Sequence, residues 1–142
     1  MVDLVYLKLT NFEAISACTG LKEIEIDRTD SPNRIIMIKG ANGSGKSTLL
    51  QEMTPFSMES TISRNSRRVS KDKDGLKELK LIVDGRFLYH CIIQYLTHKT
   101  SAYIKKYDLL NQNDKGIELN ANGNISTYED VLKSELGLSK SF

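Results

Sequence analysis

Eight consecutive residues, Gly40-Ala41-Asn42-Gly43-Ser44-Gly45-Lys46-Ser47, carry the most legible chemistry of the chain. They fit the pattern G-x-x-x-x-G-K-[ST], and each part of that pattern has a physical task. Glycines let the backbone turn tightly, so that successive N–H groups point inward at phosphate oxygens. Lys46 adds a point charge for the β- and γ-phosphates, and the Ser47 hydroxyl can ligate Mg²⁺. A helix starting near Gly45 would turn its N-terminal dipole toward the same anion. The chemistry implied is the grip of a nucleoside triphosphate.

Other residues invite weaker readings. Arg64, Arg67, Arg68, Lys71 and Lys73 fall within ten positions that hold one acid, Asp72. Arg64, Arg67, Arg68 and Lys71 could contact DNA phosphates, and each phosphate neutralised would add to the salt dependence of binding. The competing reading is a solvated loop, a common use of such composition. Leu81-Ile82-Val83-Asp84 has the outline of an apolar strand ending in a Mg²⁺-holding acid, which would make the chain a compact P-loop NTPase or nucleotide kinase. Gly85 follows, however, and Asp-Gly between two strands is hairpin chemistry. Tyr89, Tyr95, Tyr103 and Tyr107 could stack on bases, or simply cover a sheet face. His90 and His98 have no Cys or carboxylate at ligand spacing. Cys18 and Cys91 lack metal or redox spacing and read as free thiols in a reducing cytosol.

The elements that would position these residues follow from periodicity. Val2 to Thr10 alternates as a strand, with Val5, Leu7 and Leu9 on one face. Asn11-Phe12-Glu13 leads into a small-residue loop ending at Gly20, and Leu21 to Asp27 is a second strand. Arg34 to Ile38 is a short apolar run, as a buried strand before a phosphate loop should be. Ser47 to Met53 has Leu49, Leu50 and Met53 on one helix face, and Thr54-Pro55 stops that helix. Residues 57–74 read as a mobile, basic surface loop. Residues 76–110 read as an antiparallel meander, turning at Asp84-Gly85 by a two-residue type I′ hairpin and again at 97–100. Ile117-Glu118-Leu119 is a candidate short strand. Ser126-Thr127-Tyr128-Glu129 has the form of a capping box, so a helix is expected over about 127–136, closed by Gly137.

The chain has 142 residues, 39% apolar and 27% charged, enough for one domain with a core. A net charge of +2 is too small to indicate nucleic acid by itself. No apolar run approaches the ~20 residues of a membrane span, and Met1-Val2-Asp3-Leu4 has no secretory-signal character. No membrane contact is expected, and the location expected is cytoplasmic, in a bacterium or a phage-infected cell.

Taken together, the strand ending in Asn11-Phe12, the loop Asn42-Gly43-Ser44-Gly45-Lys46-Ser47-Thr48, and a meander followed by Leu136-Gly137-Leu138 resemble the N-terminal lobe of SMC-like ATPase heads. The resemblance is nearest to the SbcC-type large subunits of double-strand-break-repair nucleases, in their bacteriophage versions. It implies an α/β fold of the P-loop NTPase, ABC-type class, with a mixed sheet and an antiparallel β-meander subdomain. It implies that Asn42, Gly43, Ser44, Gly45, Lys46, Ser47 and Thr48 hold ATP and Mg²⁺, with Lys46 acting in catalysis. The implied partners are the chain's own C-terminal ATPase lobe, a second head, a nuclease subunit and DNA. Glu13 departs from the basic residue often found after Asn-Phe. The family's Gln loop, signature motif, Asp-Glu pair and switch His are not in these 142 residues, so the chain reads as one lobe whose hydrolysis needs the other. The remaining alternative is a non-catalytic interaction module, against which the intact Lys46 and Ser47 argue.

Overall fold

Period-2 alternation over four stretches of the chain builds one sheet. In the computed structural model the described residues are 1–29, 39, 46–57, 69, 73–97 and 99–139, without the side chains of Cys18 and Ser47. The elements are β1 (Val2–Thr10), α1 (Glu13–Thr19), β2 (Glu23–Asp27), α2 (Lys46–Gln51), β3 (Gly75–Val83), β4 (Phe87–Tyr95), β5 (Thr100–Asp108), β6 (Ile117–Glu118) and α3 (Ile125–Leu136). The six strands form one sheet in the order β2-β1-β3-β4-β5-β6.

This overturns the expected α/β P-loop architecture with a mixed sheet. Among the described residues every strand pair is antiparallel, and only three helices accompany the sheet. The expectation divided the chain into a nucleotide core and a separate meander. Instead β1 pairs with β3 along its length, from Val2–Val83 to Thr10–Leu76, which joins the N-terminal hairpin and the meander into a single β-rich layer.

One face of that layer carries the core. Leu7 and Leu9 of β1, Leu79 and Leu81 of β3, Cys91 and Ile93 of β4, and Ala102 and Ile104 of β5 are all buried. The register aligns them in rows: Leu7, Leu79, Cys91 and Ile104 form one row across four strands. At about 25 cal/mol per Å² of apolar surface removed from water, these rows are the main stabilising force. Tyr128 and Leu132 of α3, Ile15 of α1, and Phe12, Phe56 and Val69 complete the same cluster. Phe12 meets Tyr95 edge-on, with ring centroids 5.7 Å apart.

Four local expectations change. The register of β1 against β3 breaks between Leu4 and Tyr6, so Val5 is a bulge residue and Leu4, rather than Val5, packs with the core. The small-residue stretch after Phe12 is the helix α1, not a loop, because Ala14 and Ala17 favour helix and Ile15 gives it a buried face. Gly20 closes it in the left-handed region at φ 72°. The β3–β4 turn spans Asp84, Gly85 and Arg86, since Val83 pairs with Phe87, so the loop has three residues rather than two. Finally, α3 starts at Ile125 after Asn124, which caps it without a side-chain hydrogen bond; Ser126 lies inside the helix and forms no capping box.

Candidate nucleotide site

The route of the chain decides where α2 can lie. Both β2 and β3 run antiparallel to the β1 strand between them, so they run parallel to each other. Parallel strands require a crossover connection. Residues 28–74 are that connection, and among the described residues within it α2 is the helix.

The motif enters the described structure at its last residues. Lys46 is the first residue of α2 and is half-buried, as is Thr48. Ser47 is the second residue of the helix, and its side chain lies outside the described part. Asn42, Gly43, Ser44 and Gly45, the strand expected at 34–38, and the basic residues Arg64, Arg67, Arg68 and Lys71 also lie outside the described residues. Of the loop expected at 57–74, Ser57, Val69, Lys73 and Asp74 are described: Lys73 and Asp74 are exposed, Ser57 is buried, and Val69 is buried and bridges to Phe12.

Helical stability in proteins comes mostly from tertiary packing, and packing sets the position of α2. Leu49 and Met53 pack against the core. The chain then runs through 52–57 against the sheet, with Glu52, Pro55, Phe56 and Ser57 buried. Three polar groups hold this segment. Lys77 of β3 donates from Nζ to Glu52 Oε2 at 2.8 Å and to the Phe56 carbonyl at 2.9 Å. Tyr128 of α3 donates its hydroxyl to the Pro55 carbonyl at 2.6 Å. Tyr95 of β4 donates to Ser57 Oγ at 3.4 Å. Lys77 and Glu52 are both wholly removed from solvent.

The pair was not legible beforehand. Lys77 stands where the core row passes from Leu9 to Ile93, yet β3 carries apolar residues on both faces, so alternation does not show which way its lysines point. Glu52 follows an apolar helix turn and reads as a surface residue in sequence.

The remaining candidates disperse. Asp84 sits at the β3–β4 turn with its side chain 74% exposed, and its Oδ1 accepts from the Met1 amino group at 2.7 Å. It is seven residues along the strand from Lys77, about 23 Å at the usual strand rise, so the fold does not bring it to α2. Tyr89 and Tyr95 are buried and cannot stack on a base, whereas Tyr103 and Tyr107 are half-buried on the opposite sheet face. His90 Nε2 lies 2.6 Å from Glu78 Oε1 on that same opposite face. His98 is outside the described residues. Cys91 is in the core, where burial pushes its thiol up to about 12.

Among the described residues no group of three or more His, Cys, Asp or Glu side chains could hold a metal ion. The cavity beside Met53, between Leu4, Leu7, Ile26 and Arg28, has about 10 Å³, room for one water and not for a nucleobase. Among the described residues no helix is long and apolar enough to cross a membrane. No protein-family model matches the chain, and no curated protein matches it.

Proposed function

We propose that the chain binds the triphosphate of ATP with Mg²⁺ through residues 40–48, as the nucleotide-binding lobe of an SMC-like ATPase that works with a nuclease on DNA double-strand breaks. The observation that supports this reading is that the Lys-Ser pair of the pattern, Lys46 and Ser47, lies in the helix α2. A glycine-rich run that passes into a helix at its Lys-Ser pair is the local order a phosphate-binding loop requires.

In this reading the loop N–H groups and Lys46 hold the β- and γ-phosphates, and Ser47 is the protein's ligand to Mg²⁺. The metal, when bound, neutralises negative charge on the transferring phosphoryl group. The work of this lobe is positional and electrostatic. An acid to orient the attacking water would come from the second lobe, and head-to-head association around ATP would complete the site. A cytoplasmic location belongs to the same reading, as do possible DNA contacts by Arg64, Arg67, Arg68 and Lys71.

Titration with a fluorescent ATP analogue in Mg²⁺ tests the proposal. Lys46→Ala removes a charge-assisted contact of about 1.5–3 kcal/mol, so affinity should fall by about 10- to 150-fold. A parent chain that does not bind, or a Lys46→Ala chain that binds equally well, would remove the proposal.

A further inference from the structure

Lys77 and Glu52 are an ion pair at zero exposure, set against the hydrophobic cluster of the sheet. Taking two charges out of water costs several kcal/mol each, and an apolar pair of similar volume often serves stability as well or better. The better-attested use of a buried charge is to fix one arrangement among several. What this pair fixes is visible in its contacts. The Lys77 ammonium uses one donor on Glu52 and another on the Phe56 carbonyl, so it clasps both ends of the short segment that leaves α2. Glu52 lies directly after the helix, and its N–H still donates to the Thr48 carbonyl at 3.0 Å.

We infer that Lys77 is a positioning residue for α2, the helix that carries Lys46 and Ser47, acting through Glu52 and the Phe56 carbonyl to set its axial position and rotation. This deepens the ATP-binding proposal and rests on it. Glu52 is five residues beyond Ser47, about 7.5 Å along a helix axis. A rigid clasp at that distance fixes where Lys46 and Ser47 sit relative to the sheet. Leu49 and Met53 give non-directional apolar contacts, and the Tyr128 and Tyr95 hydroxyls bond the segment only from Pro55 onward; the ammonium clasp adds a directional hold on Glu52, next to the helix itself.

The test separates position from stability. Glu52→Leu/Lys77→Met replaces the pair with apolar side chains, and its melting temperature without nucleotide is compared with that of the parent. We expect the melting temperature to be retained and the affinity for a fluorescent ATP analogue with Mg²⁺ to fall by about tenfold or more, as for removal of groups that orient a ligand's direct contacts. Ile104→Val, a core truncation two strands away on β5, should lower the melting temperature yet keep affinity within about twofold. Should the double variant not fold, Glu52→Gln keeps the shape and removes the charge, and weakened binding is again expected. Unchanged affinity in the folded pair variant, or in Glu52→Gln, overturns the positioning role, as does an equal loss in Ile104→Val. The parent and Lys46→Ala are run alongside: a parent that does not bind overturns the function and the positioning role together, whereas a parent that binds beside a pair variant that binds equally overturns only the latter.

Discussion

Cys91 shows how much a single residue's surroundings decide. It lies in the row between Leu79 and Ile104, with no solvent exposure, and desolvation of the thiolate raises its pKa to about 12. At pH 8 the native thiol should therefore resist iodoacetamide, whereas in guanidinium it should react fully. Peptide mapping of the Cys91 fragment by mass spectrometry reads both states. Alkylation of native protein at the rate of a free thiol would place Cys91 outside the core. The same shift has a sign for stability. Between about 9, the ordinary value, and about 12 the folded thiol keeps a proton that the unfolded one has lost, so stability falls as pH rises through that window. Tyr128, also raised by burial, pulls in the same direction. A free thiol could be read from sequence spacing. Its inertness could not, because Cys91 sits among apolar residues on both strand faces.

At the scale of elements, α3 is held at its last turn by Glu135. Its Oε2 accepts from the Tyr89 hydroxyl at 2.8 Å and from Lys106 Nζ at 3.1 Å. The Tyr89 bond first, and then Lys106, holds this carboxyl below its usual range. The stability it contributes is present above the ordinary glutamate value and is lost as pH falls through the lower folded value. Glu135→Gln should cost about 0.5–1 kcal/mol at pH 7, the carboxylate being partly exposed, and should flatten the acid limb of the stability curve. Urea denaturation at pH 7 and at pH 4 measures this; an undiminished pH dependence in the variant would show that Glu135 is not the group responsible. The far end of the helix was legible, since Gly137 adopts φ 66° and closes it. The near end was not. Buried Asn120 donates to the Ala102 and Asn124 carbonyls and accepts from Thr127, so a side chain outside the helix sets its start in place of the Ser126–Glu129 box.

For the whole molecule, local period-2 patterns located the strands but could not say which strands are neighbours. β1 pairs with β3 more than sixty positions away, a relation that leaves no trace in a ten-residue window, and so one sheet was read as two units. The G-x-x-x-x-G-K-[ST] pattern is visible in sequence because its signal is contiguous, whereas the Lys77–Glu52 clasp needed the tertiary contact to be seen. The sheet order makes a measurable claim. In hydrogen exchange the amides of Leu79 and Cys91, in strands flanked on both sides, should open only with global unfolding, whereas those of Ile117 and Glu118 on the two-residue edge strand should exchange early. Exchange of central β1 amides as fast as that of β6 would contradict the order. The long β1–β3 separation also bears on synthesis. At about 5–20 residues per second, β1 is synthesised roughly 3–13 s before its main partner. A two-stranded hairpin is marginal in water, so during that interval the edge formed by Leu7 and Leu9 stands open to chaperones or to a neighbouring nascent chain.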